Sequence, residues 1–378
     1  MLRPCLSLLL LTALGTAAAL GETPIPTAPA VDARAYILSD YRTDKTLAAE
    51  NAAARMEPAS LTKLMTAYIV FQELSAGKLK LEDQVIVSEK AWRSEGSRTF
   101  IELGKPVSVQ DLILGMIVQS GNDATIALAE RVAGTEETFA QLMNANAKRL
   151  GMVGSHFENS SGLPSPQHYT TARDLSLLAN AIIREYPQDY KWFSVREFEH
   201  NGIKQQNRNG LLEKDPTVDG LKTGHTDSAG FCLVTSALRD GMRLVSVVMG
   251  STSMKARENA SAALLNYGFT FYDTKVVVKG GTVLATARVW KGQSASADLG
   301  IKDDLYITLP RGEADGIKTA TDVPPRIIAP LGLDTTIGSL HVFAGNQTLA
   351  TMPLHPLKSV AGGGWWRRLI DTIRLWFA

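Results

Sequence analysis

The sequence predicts an α+β fold in which an antiparallel sheet packs with a cluster of helices, followed by a small all-β domain and a C-terminal amphipathic helix. Three observations predict this fold. Strand-like segments enclose a long run of helical periodicity in the first part of the chain. Short β-rich pieces separated by Gly and Pro follow, and the end of the chain places apolar and basic residues on opposite sides of a helix. We place these units at residues 30–273, 274–358 and 359–378.

The first domain begins with a strand at Ala35–Asp40, where residue types alternate before a polar turn, and this strand is expected to enter a hairpin. Helical periodicity follows, and Ser108 and Thr171 each precede an aspartate by three residues, a pattern that caps helix N-termini. The expected helices are Ser60–Leu74, one that opens at Ser108, Asp123–Ala133, Glu136–Leu150 and Asp174–Arg184. The elements expected to close the domain are the strands Val218–Thr223, Phe231–Ala237 and Leu244–Met249 and the helix Lys255–Tyr267.

The second domain is expected to be a small β-sandwich at residues 274–358. Its sequence consists of short runs of strand-forming residue types bounded by Gly and Pro. The expected strands are Lys275–Val278, Val283–Trp290, Leu305–Leu309 and Ile337–Phe343.

The last segment consists of a glycine triplet, Gly362–Gly364, which is expected to be a flexible break, and a stretch with helical periodicity. Trp366, Ile370, Ile373 and Phe377 share one face of the expected helix, and arginines lie opposite. The helix is too short to span a bilayer, and its aromatic and arginine-bearing faces suit a membrane interface. Packing of the apolar face on the protein's own core is the alternative interpretation.

The charge and histidine content of the chain limit the classes of ligand. Lys and Arg number 39 and Asp and Glu number 38, so the formal net charge is +1 and no nucleic-acid partner is expected. The histidines show no spacing typical of a metal site. We therefore expect neither a metal nor another cofactor.

The first residues are typical of a secretory signal peptide, expected at 1–19. Arg3 precedes an apolar run, Leu6–Leu14, that is shorter than a membrane-spanning helix and is followed by small residues. An uncleaved N-terminal anchor is the alternative. Cleavage would remove Cys5 and leave Cys232 as the single cysteine, so we expect no intramolecular disulfide and a buried thiol.

The first candidate for chemistry is the pair Ser60 and Lys63. Residues three apart share one face of a helix, so the amine can reach the hydroxyl, and serine needs such a base to become a nucleophile. The pattern alone is a weak signal, because Ser75 and Lys78 repeat it beside the poor helix former Gly77. Other motifs in the chain are therefore needed to decide which of the two Ser–Lys pairs is the catalytic one.

Two further motifs follow Ser60 in order. Ser120–Asn122 stands between two expected helices, and Lys222–Gly224 stands within an expected strand. Each tripeptide alone is compatible with an ordinary loop or strand end. The ordered combination of Ser-x-x-Lys, Ser-x-Asn and Lys-Thr-Gly is typical of penicillin-binding proteins and β-lactamases. It favours Ser60 over Ser75 as the nucleophile.

The sequence resembles the low-molecular-mass penicillin-binding proteins, in particular the serine-type D-alanyl-D-alanine carboxypeptidases of Gram-negative bacteria, over nearly the whole chain. The matching stretches are Pro58–Thr66, Gln119–Ala124, Thr171–Asp174, Gln206–Asn209, Val218–Thr226 and Met242–Leu244. The resemblance implies a β-lactamase/transpeptidase-like catalytic domain, a β domain and a terminal anchor helix. It also implies a periplasmic protein attached peripherally to the outer face of the inner membrane.

The resemblance implies a role for each catalytic residue. Ser60 would attack the carbonyl between two D-alanines while Lys63 takes its proton. The backbone N–H groups of Ser60 and His225 would form the oxyanion hole. Ser120 and Lys222 would relay a proton to the departing D-alanine.

Other residues would bind the substrate, which the resemblance implies to be a peptidoglycan stem peptide. Asn122 would hold its amide, and Thr223 and Arg257 would bind its terminal carboxylate. Gly224 would let the peptide backbone approach the strand edge. β-Lactams would acylate Ser60 because they mimic the bond between the D-alanines.

The sequence also shows departures from the family pattern and leaves two alternatives. Thr125 stands where the family often has cysteine, and the Pro164–Pro166 loop leaves the substrate preference open. A class A β-lactamase would need a deacylating glutamate in a Glu-x-x-Leu-Asn-type element, which the chain lacks. A non-catalytic wall-binding module would be expected to carry damaged motifs, whereas all three motifs are intact.

Overall fold

The computed structural model describes residues 25–313 and 316–376, so the signal peptide expected at 1–19 lies outside the described residues. The first domain mixes helices with one main sheet. Its first elements are β1 (Ala35–Asp40), β2 (Thr46–Glu50), a 3-10 helix (Ala59–Thr62), α1 (Lys63–Ser75), β3 (Gln84–Ile86), α2 (Glu89–Trp92), β4 (Pro106–Ser108), α3 (Val109–Leu114), a π-helical turn (Gly115–Gln119), α4 (Asn122–Ala133), α5 (Glu136–Arg149) and α6 (Ala172–Glu185). The remaining elements are a second 3-10 helix (Asp189–Ser194), β5 (Glu197–His200), β6 (Ile203–Gln206), α7 (Leu211–Lys214), β7 (Val218–Thr226), β8 (Gly230–Arg239), β9 (Met242–Ser251) and α8 (Met254–Phe271).

The main sheet has five strands in the order β2-β1-β9-β8-β7, and every pair is antiparallel, as the sequence predicts. The interior strands β8 and β9 are buried along most of their length because helices cover both faces of the sheet. Their residues are therefore apolar in continuous runs. Strand β7 lies at one edge, so one side of its backbone is accessible to a ligand.

Helix α1 runs through the middle of the helical layer. Every residue from Lys63 to Phe71 is buried, so the helix is enclosed around its whole circumference. The rings of Tyr68 and Phe71 meet that of Tyr186 edge-on, with centroids 5.2 and 6.3 Å apart. This packing fixes the helix that begins with Lys63.

The predicted caps at Ser108 and Thr171 are confirmed. The Ser108 hydroxyl accepts a hydrogen bond from the backbone N–H of Asp111 at 3.0 Å. The Thr171 hydroxyl accepts one from Asp174, also at 3.0 Å. Each cap satisfies a backbone donor that the first turn of a helix leaves unpaired.

The helix expected from Ser60 begins one turn later than predicted. Ser60 lies in the first 3-10 helix, and α1 begins at Lys63. The backbone N–H of Leu61 donates to the Pro58 carbonyl at 3.1 Å, the shorter hydrogen-bond pattern of a 3-10 turn. The hairpin expected after Ala35–Asp40 is confirmed, because β2 pairs with β1 in the antiparallel direction. The short elements β3, β4 and α2 and the β5–β6 hairpin were not predicted, because segments this short carry no clear periodicity.

The second domain is all-β, as predicted. Its strands are β10 (Tyr272–Val278), β11 (Ala285–Trp290), β12 (Ser296–Gly300), β13 (Leu305–Pro310), β14 (Ile317–Asp322), β15 (Ile327–Ile328), β16 (Gly338–Ala344) and β17 (Gln347–Pro356). Six strands form a sheet in the order β14-β16-β17-β12-β11-β15, and β10 pairs with β13. The core of this domain is a separate cluster that includes Leu299, Leu340 and Leu354. The sequence did not predict β12, β14, β15 and β17. Strand β14 exposes most of its residues, so no apolar alternation marks it.

The two domains meet through hydrogen bonds around the buried carboxylate of Asp40. Its Oδ2 accepts from the Thr274 hydroxyl at 2.6 Å, and its Oδ1 accepts from the backbone N–H groups of Arg42 and Thr43 at 2.8 and 2.9 Å. The Thr308 hydroxyl lies 2.7 Å from that of Thr43 and 2.9 Å from that of Thr274. This junction is polar, and the apolar cores on its two sides are separate clusters.

A short helix, α9 (Trp365–Arg374), follows the second domain and contacts it through its polar face. Asp371 is buried, and its carboxylate accepts a hydrogen bond from the backbone N–H of Lys291 at 2.7 Å. The large apolar side chains point away from the protein, and Trp366 and Ile373 are 61% and 50% exposed. Within the described residues, none of the helices has the length and apolar character that crossing a bilayer requires.

The glycine triplet before α9 is bound rather than loose, which contradicts the expected flexible break. The Gly363 N–H donates to the Lys291 carbonyl at 2.7 Å. A Cβ at Gly363 would lie 2.9 Å from the Gly292 carbonyl oxygen, so the glycine permits a close backbone approach. The sequence pattern did not distinguish this use of glycine from a flexible linker.

Candidate active site

Ser60 and Lys63 lie side by side at the start of the central helix. Lys63 Nζ donates a hydrogen bond to Ser60 Oγ at 3.1 Å, and Lys63 is 1% exposed. The turn is tight, since the preceding Ala59 has a φ of 46°, a left-handed value that is unusual for a residue with a side chain. Gly162 packs against this turn so closely that a Cβ there would lie 1.8 Å from the Ala59 carbonyl oxygen. Backbone packing therefore fixes the serine.

The amine of Lys63 lies among acceptors and away from water. It donates to Asn122 Oδ1 at 2.7 Å and to the Ser161 carbonyl at 2.6 Å. Burial, helped by the positive charge of Arg208, lowers the pKa of Lys63 from 10.5 to about 7. Near neutral pH a large fraction of the amine is uncharged, so its lone pair can accept the Ser60 proton while its N–H groups keep their other bonds.

Ser120 and Asn122 form a second wall of the site. The π-helical turn ends at Ser120, whose backbone is left-handed with a φ of 64°. The Ser120 hydroxyl is buried and has no hydrogen-bond partner among the described residues. Asn122 Nδ2 donates to the Glu95 carbonyl at 2.6 Å, which orients the amide whose oxygen contacts Lys63. The Ser120 hydroxyl is therefore available to a ligand.

The loop between α2 and β4 closes over this wall and is held by Asp123. The buried carboxylate of Asp123 accepts hydrogen bonds from the backbone N–H groups of Thr99 and Phe100, both at 2.8 Å. In the same loop, the Ser97 carbonyl accepts from the Asn122 backbone N–H at 2.7 Å. A single carboxylate thus sets the shape of the loop beside Ser60.

The edge strand β7 forms the third wall. Lys222 is 2% exposed, and burial, followed by nearby positive charges, lowers its pKa well below the usual range. A Cβ on Gly224 would lie 3.1 Å from the Pro58 carbonyl oxygen, so glycine allows the strand to approach the turn that carries the serine. The imidazole of His225 stacks on Phe231 with ring centroids 4.0 Å apart.

The three walls enclose a cavity of about 340 Å³. It is lined by Ser60, Ser97, Ser120, Arg208, Thr223, Gly224, His225, Phe231, Met254 and Arg257. The other predicted residues lie directly behind this lining: Lys63 bonds to Ser60, Asn122 to Lys63, and Lys222 to the Thr223 carbonyl. The structure therefore brings every predicted site residue to one place.

Among the residues that the structure describes, two arginines and no carboxylate line this cavity. Arg257 donates to the carbonyl oxygens of Gly224 and Cys232 at 3.2 and 3.4 Å, and its Nε has no partner among the described residues. No role was predicted for Arg208, because only its place in the stretch Gln206–Asn209 distinguished it from a surface arginine. Guanidinium groups favour carboxylate ligands, so the cavity suits a peptide with a free C-terminus.

Two other kinds of reactive site, a cysteine nucleophile and a metal centre, find little support in the described residues. Cys232 is fully buried, as predicted, and burial raises the pKa of its thiol. In the part of the chain that the structure describes, no group of three or more His, Cys, Asp and Glu side chains is placed to hold a metal ion.

Known proteins are similar to this chain in sequence and in fold. Residues 22–253 match the family described as D-alanyl-D-alanine carboxypeptidase, and residues 271–361 match the family described as penicillin-binding protein 5, C-terminal domain. The D-alanyl-D-alanine carboxypeptidase DacA of Escherichia coli (strain K12) is 41% identical over 364 residues, covering 94% of this chain and 90% of that protein. Penicillin binding protein 5 from Haemophilus influenzae has a crystal structure with a TM-score of 0.84 and 39% identity, covering 89% of this chain and 99% of its own. Penicillin-binding protein D2 from Listeria monocytogenes, in its ampicillin-bound form, has a TM-score of 0.60 and 30% identity, covering 65% of this chain and 100% of its own.

Proposed function

This chain belongs to the D-alanyl-D-alanine carboxypeptidase family of penicillin-binding proteins, and from this premise we propose that it removes the terminal D-alanine of peptidoglycan pentapeptides through an acyl-enzyme on Ser60. One observation carries the proposal: Ser60 Oγ lies 3.1 Å from a buried amine, that of Lys63, whose pKa is about 7. Such an amine acts as a base at neutral pH. The proposed chemistry uses no metal and no cofactor.

Acylation begins when Lys63 takes the hydroxyl proton of Ser60 and Ser60 Oγ attacks the carbonyl between the two D-alanines. We assign the oxyanion hole to the backbone N–H groups of Ser60 and His225. The peptide backbone lies along the open edge of β7, which is close to Ser60 because Gly224 lets the strand approach the turn that carries the serine. Asn122 holds the substrate amide. The result is a tetrahedral intermediate next to a protonated lysine.

The intermediate collapses when the amine of the terminal D-alanine receives a proton and leaves. We assign the delivery of this proton to Ser120 and Lys222. The Ser120 hydroxyl supports the assignment because it lines the cavity without a partner among the described residues. Lys222 lies behind the lining of the cavity and completes the proton relay. Water then hydrolyses the ester on Ser60.

The carboxylate of the leaving D-alanine provides the selectivity for a chain end. We assign its binding to Thr223 and Arg257 and add Arg208, whose guanidinium lines the same cavity. No carboxylate of the described part of the chain lines the cavity and competes for these groups. β-Lactams also carry a carboxylate, and the ampicillin-bound Listeria relative supports the proposal that they acylate Ser60.

Mass spectrometry of the enzyme after incubation with benzylpenicillin tests the assignment. The expected result is one adduct on the peptide that contains Ser60, together with release of free D-alanine from a pentapeptide substrate. The rival pair Ser75 and Lys78 provides an internal control, because its lysine is exposed and pairs with Glu73. An adduct on Ser75, or no adduct at all, would contradict the proposal.

We also propose that α9 lies on a membrane surface, with residues 359–378 as the anchor, 274–358 as the β-sandwich and 30–273 as the catalytic domain. Residues 1–19 would act as the signal peptide that places the protein in the periplasm, at the outer face of the inner membrane. The support is the outward face of α9, where Trp365, Trp366 and Trp376 are 66%, 61% and 80% exposed. Tryptophan favours the interface between lipid and water.

Membrane binding is expected to fall by about tenfold when the chain ends at Ser359, because the loss of α9 removes this apolar surface. Flotation with vesicles that contain anionic lipid measures the bound fraction. The full chain with Trp366→Ser and Ile373→Ser serves as a second variant, since both side chains belong to the exposed face. Equal flotation of all three proteins would exclude the helix as the anchor.

A further inference from the structure

A groove of about 480 Å³ lies beside the catalytic cavity and is not used by the proposed reaction. Its floor is the segment Arg55–Glu57, which leads into the turn that carries Ser60. Met56 exchanges backbone hydrogen bonds with Thr170 at 2.8 and 2.9 Å, so the segment is extended. Side chains alternate along an extended chain, and Met56 packs against the core. Arg55 and Glu57 therefore point to the same side, into the groove.

The groove is reached by the part of the substrate that precedes the D-alanines. In the proposed reaction the terminal carboxylate lies at Thr223 and the scissile carbonyl at His225, so upstream residues continue along β7 toward Thr226. The Thr226 hydroxyl donates to Glu57 Oε2 at 3.4 Å, and the Ser228 hydroxyl donates to the same oxygen. Glu57 thus stands where the residue before the D-alanines arrives.

The charged side chains of Arg55 and Glu57, which line the groove, have opposite signs. Among the described residues, Glu57 forms no ion pair with a cation and Arg55 forms none with a carboxylate. The Arg55 guanidinium instead lies over the ring of Tyr169, 4.4 Å from its centroid. Two residues of extended chain separate the side chains by about 7 Å, so a small group can contact both.

The opposite wall of the groove is the Pro164–Pro166 loop, and it is firmly held. The Ser165 hydroxyl donates to the Glu158 carboxylate, which also accepts from the backbone N–H of Gln167 at 2.9 Å. His168 Nε2 lies 2.8 Å from the Thr62 hydroxyl, which ties the loop to the 3-10 helix of the catalytic serine. Prolines restrict the backbone further. A preformed wall favours selection among side chains that enter the groove.

We propose that this groove binds the side chain of the residue before the two D-alanines and selects one that ends in an ammonium and a carboxylate on the same carbon, as diaminopimelate does. Glu57 binds the ammonium and Arg55 the carboxylate. A lysine side chain satisfies only Glu57, and an Nε-acetyl-lysine side chain satisfies neither. The inference rests on the proposed carboxypeptidase function and adds a determinant of substrate class to it.

The test compares three pentapeptides that differ only in this residue: meso-diaminopimelate, lysine and Nε-acetyl-lysine. D-Alanine release by the full-length enzyme gives kcat and KM for each. We expect kcat/KM to fall about fivefold from the first to the second and about fivefold again to the third, mainly through KM, as partly exposed charge pairs allow. Arg55→Gln should remove the difference in kcat/KM between the diaminopimelate and lysine peptides. Glu57→Gln should remove the difference between the lysine and Nε-acetyl-lysine peptides.

The matched controls are Arg196→Gln and Glu213→Gln, which remove an exposed ion pair elsewhere on the same domain. Both should leave the ranking of the peptides unchanged. Glu57→Gln keeps an oxygen that can accept the hydrogen bond from Ser228. If Glu57 has only a structural role, the substitution would lower kcat/KM for all three peptides by the same factor and leave their ratios unchanged. Equal kcat/KM for the three peptides, or ratios that both groove variants leave unchanged, would overturn the subsite. Failure of the proposed function is a separate result, since it would abolish acylation by benzylpenicillin as well.

Discussion

Lys63→Arg is expected to slow the acylation of Ser60 by benzylpenicillin by about 10³-fold, the typical contribution of a general base. Arginine retains the positive charge and the donors but does not lose its proton in a protein, so it cannot take the proton from the Ser60 hydroxyl. The variant therefore separates the base from the charge at this position. Stopped-flow fluorescence or time-resolved mass spectrometry gives the acylation rate, and Ser60→Ala sets the zero of the assay.

The pH dependence of the acylation rate is a second test of Lys63 as the base. The pKa of Lys63 is lowered to about 7, so its neutral, basic form increases as the pH rises through that value. The wild-type acylation rate should therefore increase from about pH 6 to about pH 8 and then level off. Lys63→Arg should not show this rise. A rate within tenfold of wild type for Lys63→Arg, or a wild-type rate that falls as the pH rises through 7, would contradict the role of Lys63 as the base.

Asp123→Ala is expected to lower the free energy of unfolding by about 3–5 kcal/mol, among the larger effects of single substitutions. Its fully buried carboxylate accepts from the backbone N–H groups of Thr99, Phe100 and Ala124 at 2.8, 2.8 and 2.9 Å. Alanine leaves these donors without an acceptor, which costs more than the net worth of the bonds. Asp123→Asn keeps one oxygen acceptor, so it should lower the free energy of unfolding by about half as much.

Urea unfolding measures this effect, and Asp111→Ala is the matched control. Asp111 is a half-buried carboxylate in the first turn of α3, where its charge favours the helix N-terminus, so its loss should cost less than about 1 kcal/mol. The loop that Asp123 holds also carries Ser97, which lines the catalytic cavity. Asp123→Ala should therefore also raise KM for the pentapeptide. Losses of equal size for Asp111→Ala and Asp123→Ala would show that the loop does not depend on this carboxylate.

The sequence predicted those parts of the site that depend on local spacing. Ser60 and Lys63 are three residues apart, and the Thr171 cap is encoded within four residues. The Lys222–Gly224 motif lies in a run of strand-forming residue types, so its place on β7 followed from local preference. For these residues local and tertiary structure agree, and the pattern was sufficient.

Other parts of the site depend on contacts between residues that are distant in sequence. Arg208 reaches the cavity from the loop after the β5–β6 hairpin, which was too short to predict. Asp123 is next to the Ser120–Asn122 motif, but its carboxylate binds the backbone of a loop about twenty-four residues earlier in the chain. No local sequence pattern indicates that contact. Glu57 resembles any surface glutamate until the fold places Thr226 and Ser228 beside it.

The polar junction around Asp40, Thr274 and Thr308 has a consequence for how the protein withstands damage. The two domains share hydrogen bonds, whose net contribution is small because water can replace them, and they do not share an apolar core. The two domains are therefore expected to unfold as separate cooperative units. We expect a thermal fluctuation or a proteolytic cut that opens the all-β domain to leave the catalytic cavity assembled.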